Sequence, residues 1–309
     1  MNPYYTDYAE YLSRFFPGRK VQKISVNAGM GCPNRDGRIG TGGCIYCNNA
    51  SFTPGYCFGQ ASIASQLEAG KLFFSRKYPN MQYIAYFQSF TNTYSDDPRR
   101  LREVYREAVE VNDVVGLAVG TRPDCFDGVT AGLLDELNRE LPVFVEFGVE
   151  TMRDDTLGLI NRGHSSRDSE DAVRRAAGAG LHVGVHLIAG LPGEPHDEVI
   201  RSLERVCSLP VESVKIHHLQ VLRATPLCGM VERGEIEVMP FALEEYLDMC
   251  VRMVETVPRG IAIERFLASA PPAEVVIPKW GIKNYEFVNL LHKRLAKMQF
   301  GKKPENKKL

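Results

Sequence analysis

Six short apolar runs recur along the chain, separated by longer polar stretches with helical spacing, and this alternation limits the available folds more than any other feature. The runs are VQKISV (21–26), QYIAYF (82–87), VVGLAV (114–119), PVFVEF (142–147), HVGVHLI (182–188) and SVKIHHL (213–219). The helical stretches lie near 60–77, 98–111, 129–140, 167–179, 195–207 and 241–256. Strands alternating with helices imply a parallel sheet with right-handed crossovers. The expected class is therefore α/β, a partial (β/α)6 TIM-like barrel whose site lies at the C-terminal ends of the strands. At 309 residues, with 44% hydrophobic and 24% charged side chains, the chain is large enough for such a core and is neither disordered nor fibrous. The expected divisions are an N-terminal helical extension (1–20), the barrel (21–228) and a C-terminal extension ending in a basic tail (229–309). The run SAPPAEVVIP (269–278) reads as a loop or linker.

Side chains alternate across a strand, so each run splits into two faces. Val143, Val145, Phe147 and Val149 share a face that would meet the outer helices, whereas Glu146, Gly148 and Glu150 share the other. Carboxylates pointing into a barrel are costly to bury unless they bind something. In the fifth run His182, Gly184, His186, Ile188 and Gly190 oppose Val183, Val185, Leu187 and Ala189; in the sixth, Lys215 and His217 share a face. The polar faces are expected to converge on one cavity. Arg122 and Asp124 fall at a strand end, where a fixed guanidinium can meet an anion or pair with its neighbouring carboxylate.

The net charge of −1 gives no overall field to recruit a polyanion. Residues 279–309 differ, carrying nine Lys and Arg against Glu286 and Glu305. That tail suits either a polyanion or plain solvation. No run approaches the apolar length of a membrane helix and the N-terminus has no signal-type segment. The expectation is a cytoplasmic protein without a membrane partner.

Of eight cysteines, three fall together as Cys32-x11-Cys44-x2-Cys47 in GCPNRDGRIGTGGCIYC, a stretch with five glycines and one proline. Such a loop forms no regular element and wraps around something. Grouped thiolates select zinc or an iron–sulfur cluster over hard cations. Closed zinc sites take four ligands, and Cys57 is available as a fourth. Three thiolates alone suit a [4Fe–4S] cluster with one iron left open.

With Tyr46 just before its third cysteine, the loop resembles the radical S-adenosylmethionine (SAM) superfamily, although the first gap is longer than the superfamily's common CxxxCxxC. CPNRDG…GGCIYC, YIAYFQSFTNTY (83–94), GTRPDCF (120–126), VEFGVET (145–151), HLIAGLPGE (186–194) and VKIHHLQVLRATPL (214–227) together resemble the bacterial YhcC/YtqA-type radical SAM proteins, related in their core to the catalytic subunit of elongator. The resemblance implies Cys32, Cys44 and Cys47 as metal ligands. It implies SAM contacts on the fourth strand (Glu146, Glu150) and along the fifth (His186, Ile188, Gly190). At the end of the second strand a GGE-like motif is replaced by FQSFTNTY, where Gln88, Ser89, Thr91 and Asn92 are the candidates. No catalytic residue is assigned; His217, His218 and Lys215 are candidate acids or bases.

By the same resemblance, the reduced [4Fe–4S] cluster cleaves SAM to a 5′-deoxyadenosyl radical that abstracts a substrate hydrogen, with an electron donor such as flavodoxin or ferredoxin as partner. The elongator-like core implies a tRNA substrate, a wobble uridine altered at C5 by a tRNA-modifying transferase. No acetyltransferase-like segment is present, so an external donor or a different group such as an aminomethyl is expected. Two alternatives stand beside this: a radical SAM enzyme acting on a small molecule or porphyrinogen, and a non-enzymatic four-cysteine zinc module gripping nucleic acid.

Overall fold

The computed structural model describes residues 2–48, 51, 53–59, 62–75 and 81–301. Lys302, Lys303, Lys307 and Lys308 of the basic tail lie outside the described residues. The six expected strands form as β1 (Val21–Val26), β2 (Gln82–Phe87), β3 (Val114–Thr121), β4 (Val143–Glu150), β5 (His182–Ala189) and β6 (Ser213–His218). Each neighbouring pair is parallel and in sequence order. The crossover helices are α2 (Ile63–Ser75), α3 (Pro98–Val109), α4 (Gly128–Asn138), α6 (Ser166–Gly178) and α7 (Glu198–Cys207), and α9 (Leu243–Thr256) follows β6.

Local chemistry sets the helix starts. Pro98 opens α3 behind an Asp97 cap, Asp127 caps α4, and Ser165 and Asp168 cap α6 reciprocally. Each supplies an acceptor for an otherwise orphaned N–H. The faces of β4 divide as its alternation predicts: Val143, Val145, Phe147 and Val149 join the core beneath the helices.

A seventh parallel strand, β8 (Ala262–Arg265), pairs with β6 from within the segment read as C-terminal extension. At four residues it carries too little period for sequence to expose it. The seven strands curl into a half-barrel, β1 and β8 forming its two edges. Part of the expected linker is also structured: β9 (Val275–Ile277) pairs antiparallel with β7 (Val221–Leu222). Helices α5 (Asp154–Leu159), α8 (Pro226–Glu232) and α10 (Asn284–Gly301) complete the C-terminal half.

The N-terminal segment plugs the barrel floor. Tyr11 and Leu12 of α1 (Tyr8–Leu12), with Phe16, pack against the inward-facing Ile84, Tyr86, Ala118, Phe144 and Ala262. The same segment reaches the open seam, where Asp7 bridges to Ile263 and the Ile263 N–H donates to the Thr6 carbonyl at 2.9 Å. Among the described residues no helix is long and apolar enough to cross a membrane.

Candidate functional site

A cavity of about 970 Å³ occupies the interior above this plug. Its walls gather Cys32, Cys44 and Cys47 from the glycine-rich loop, Gln88, Ser89 and Thr91 from the end of β2, Glu146 and Glu150 from β4, His186 and Ile188 from β5, and Lys215 and His217 from β6. Strand ends on one rim of a curled sheet point their loops at one space, which is why residues far apart in sequence meet here.

The cysteine loop is pinned rather than free. Ile45 donates its N–H to the Ile160 carbonyl at 3.1 Å and accepts from Leu227 at 2.8 Å, while its side chain packs with Leu157, Ile160, Ile188 and Leu191. Gly43 takes φ 80, and a Cβ there would meet Arg35 Nε at 2.8 Å, so only glycine fits the turn into Cys44. Burial and the neighbouring Cys44 push the Cys47 thiol up from its ordinary value. Cys57 lies apart. Its thiol donates to the Ser25 carbonyl at 3.4 Å, and burial raises it to about 11.

Two arginines stand behind the thiols, Arg122, expected at a strand end, and Arg162, which the sequence did not single out. Arg162 Nη1 donates to Cys44 Sγ at 3.6 Å, and its Nη2 lies 3.4 Å from Glu150 Oε1. Arg122 forms the internal pair with Asp124, both contacts 3.0 Å, and donates to the Arg162 carbonyl at 2.7 Å. Arg122 Nη1 and Arg162 Nε are buried without a hydrogen-bond partner, although both residues line the cavity. Uncommitted buried donors beside thiols suit an anionic occupant.

Among the described residues no three Cys, His, Asp or Glu side chains converge as ligands of one ion would. A cluster makes a different demand, because each thiolate takes its own iron and the sulfurs stand apart. Three thiols on one wall, a supporting guanidinium and unpaired donors fit a three-thiolate cluster beside an anionic group such as a cofactor's carboxylate.

The strand β4 is bulged between Gly148 and Glu150, which keeps both residues on the cavity wall. Glu150 adopts φ 70, and Phe90, also on the wall, φ 67. Left-handed backbone at non-glycine residues costs energy and gathers at functional sites. At Gly148 a Cβ would meet Glu150 Oε1 at 2.7 Å and Arg162 Nη2 at 2.8 Å. Gly148→Ala is therefore expected to cost about 1–3 kcal/mol by overpacking, read as a lower urea midpoint. An unchanged midpoint would mean that both side chains swing aside at no cost.

Glu146 is more deeply engaged than its sequence position suggests. Its carboxylate is 3% exposed and accepts from Lys23, Tyr86 Oη (2.7 Å) and Lys215 Nζ (2.8 Å), with His186 Nε2 at 2.7 Å. Glu264 of β8 completes the group, 2.9 Å from Lys23 and 3.0 Å from Lys215. Burial opposes ionisation of Glu146, but Lys215, Lys23 and His186 outweigh it and hold the carboxyl well below its usual range. His217 is driven the other way: burial and the adjacent His186, Arg265 and Lys215 keep it neutral.

Two candidates lie off the cavity. Asn92 donates through Nδ2 to the Phe87 and Gly120 carbonyls, both at 2.8 Å, tying the ends of β2 and β3 together. Gly190 turns away at φ 82 and packs against Phe241, whose ring a Cβ would meet at 3.1 Å. His218 lines the cavity while its ring stacks on Trp280 with centroids 4.3 Å apart. Sequence reasoning passed over Lys23, Glu264, Arg162 and Arg265. The inward register of Lys23 beside the outward Ile24 was a usable signal, while nothing in the local pattern marks the other three.

Residues 26–206 match the radical SAM superfamily and 211–297 the radical SAM C-terminal domain. The chain is 32% identical to the uncharacterized protein YtqA of Bacillus subtilis over 278 residues, covering 90% of this chain and 85% of YtqA. It is 37% identical to protein YhcC of Escherichia coli over 264 residues, covering 85% and 83%. A tRNA uridine(34) acetyltransferase of Methanocaldococcus infernus is 28% identical over 203 residues, 62% of this chain and 36% of that protein. The solved structure of Methanocaldococcus infernus Elp3 lacking its N-terminus superposes with a TM-score of 0.68 at 19% identity, over 91% of this chain and 64% of that one.

Proposed function

For this chain, which belongs to the radical SAM superfamily and so uses a [4Fe–4S] cluster and SAM, we propose the modification of a tRNA wobble uridine at C5. The observation that carries the reading is the 28% identity over 203 residues, 62% of this chain, to a protein named for uridine 34 of tRNA. Bound in the cavity, the cluster and SAM supply one-electron cleavage to a 5′-deoxyadenosyl radical. The chain's own part is to hold, orient and enclose.

In this reading Cys32, Cys44 and Cys47 ligate three irons. Gln88, Thr91, Glu150, His186 and Ile188 meet SAM along the strand ends, and Arg162 bridges the two sets through Cys44 and Glu150. Glu146 acts from beneath as the acceptor that orients His186, Lys23 and Lys215. A flavodoxin- or ferredoxin-type donor supplies the electron. Walls this buried keep water from a radical that would otherwise be quenched.

The wobble base must leave its stack to enter, so affinity should rest on phosphate contacts and fall steeply with salt. The basic run contributes less than its count suggests, because Arg294 is already paired with Glu244 and Asp248. The decisive comparison is of tRNA nucleosides from a deletion strain and its parent. Loss of one modified uridine at the wobble position is expected. Identical nucleoside profiles would overturn the tRNA reading and favour a small-molecule substrate for the same radical.

A further inference from the structure

The bulge in β8 aims a free cation into the cavity. Val214 pairs with Ile263 but Lys215 pairs with Arg265, so Glu264 and Arg265 together oppose one step of β6. A bulge of this kind turns two consecutive side chains to one side, and both line the cavity. Glu264 spends its charge on Lys23 and Lys215. Those two lysines are in turn balanced by Glu146 and Glu264. Arg265 has no hydrogen-bond or ion-pair partner among the described residues, leaving one uncompensated positive charge in a half-buried setting.

Position gives this charge a purpose. Arg265 lies at the open edge of the half-barrel, just above the stretch of β8 that Thr6 and Asp7 cover. The opposite lip, beside β1, carries Tyr56, Phe73 and Phe74, all on the same cavity wall, with Phe73 60% exposed. A guanidinium and aromatic rings lining one cavity match a molecule with an anionic group and a planar ring.

We propose that the part of the cavity lined by Arg265 and these aromatic rings admits a nucleotide, with Arg265 gripping its phosphate. This rests on the tRNA reading for the choice of nucleotide, but the phosphate contact stands on Arg265 alone. A charge-assisted bond of this kind contributes about 1.5–3 kcal/mol, roughly a tenfold to hundredfold change in affinity.

The test titrates cluster-loaded full-length protein with UMP, uridine, inorganic phosphate and an anticodon stem–loop RNA. R265Q is expected to bind UMP and the stem–loop at least about tenfold more weakly and uridine as the wild type does, with R265K restoring part of the loss. Unchanged melting and iron content would confirm that R265Q is folded. Equal affinity of wild type and R265Q for UMP, or no binding of UMP and phosphate to the wild type, overturns the proposal. Equal wild-type affinity for phosphate and UMP, lost in R265Q, overturns the nucleotide as occupant. Arginine-dependent UMP binding without any stem–loop binding supports the phosphate site and counts against tRNA.

Discussion

Replacing Cys32, Cys44 or Cys47 with Ala is expected to strip the protein of iron, from about four iron and four sulfide per chain to a trace. Three ligands are the minimum for a cluster with one open iron, so loss of any one leaves two irons without protein thiolates. The same change at Cys57 or Cys125 is expected to leave the iron content intact. Cys57 hydrogen-bonds to a β1 carbonyl, and neither Cys57 nor Cys125 is among the residues lining the cavity that holds the other three thiols. Iron and sulfide assays on anaerobically reconstituted variants, with the sulfide-to-iron absorbance, provide the measurement. Iron lost from Cys57→Ala would demand a four-ligand site; stoichiometric zinc in anaerobically prepared wild type would exclude the cluster altogether.

The second large effect is expected at Glu146. Glu146→Gln leaves Lys23 and Lys215 buried against Glu264 alone, and breaking one side of a buried ionic group costs about 3–5 kcal/mol. The urea midpoint should fall accordingly. Because the folded carboxyl is held well below the ordinary value of 4.5, its contribution is complete above that value and is lost only as pH falls through the lower folded one. The gap between wild type and variant should therefore persist at neutral pH and close only in strong acid. Glu150→Gln makes the contrast. Glu150 has one guanidinium contact, at 3.4 Å, so its loss should spare stability and weaken SAM binding. If Glu146→Gln instead kept its midpoint and lost SAM, Glu146 would be a direct cofactor contact.

The cysteine triad and the strands were legible for the same reason, namely that each is written in local spacing. The expected β1 and β2 match the structure residue for residue. The faces of β4 followed from alternation through Glu150, although the register with β5 shifts between Gly148 and Glu150. Asn92 shows the opposite case. Its place in a polar run at a strand end suggested a ligand contact, yet it lies off the cavity and both Nδ2 donors go to backbone carbonyls that only the folded sheet brings within reach.

What the sequence by itself determined was the α/β class, the order of six strands and the thiolate loop, because apolar period and cysteine spacing are properties of neighbouring residues. Tertiary structure alone decided the seventh strand, the floor plug, and the joining of Lys23, Glu146, Lys215 and Glu264 into one ionic group. Those residues are separated by tens to hundreds of positions. Coulomb energy depends on distance in space, and curling the sheet is what made those distances short.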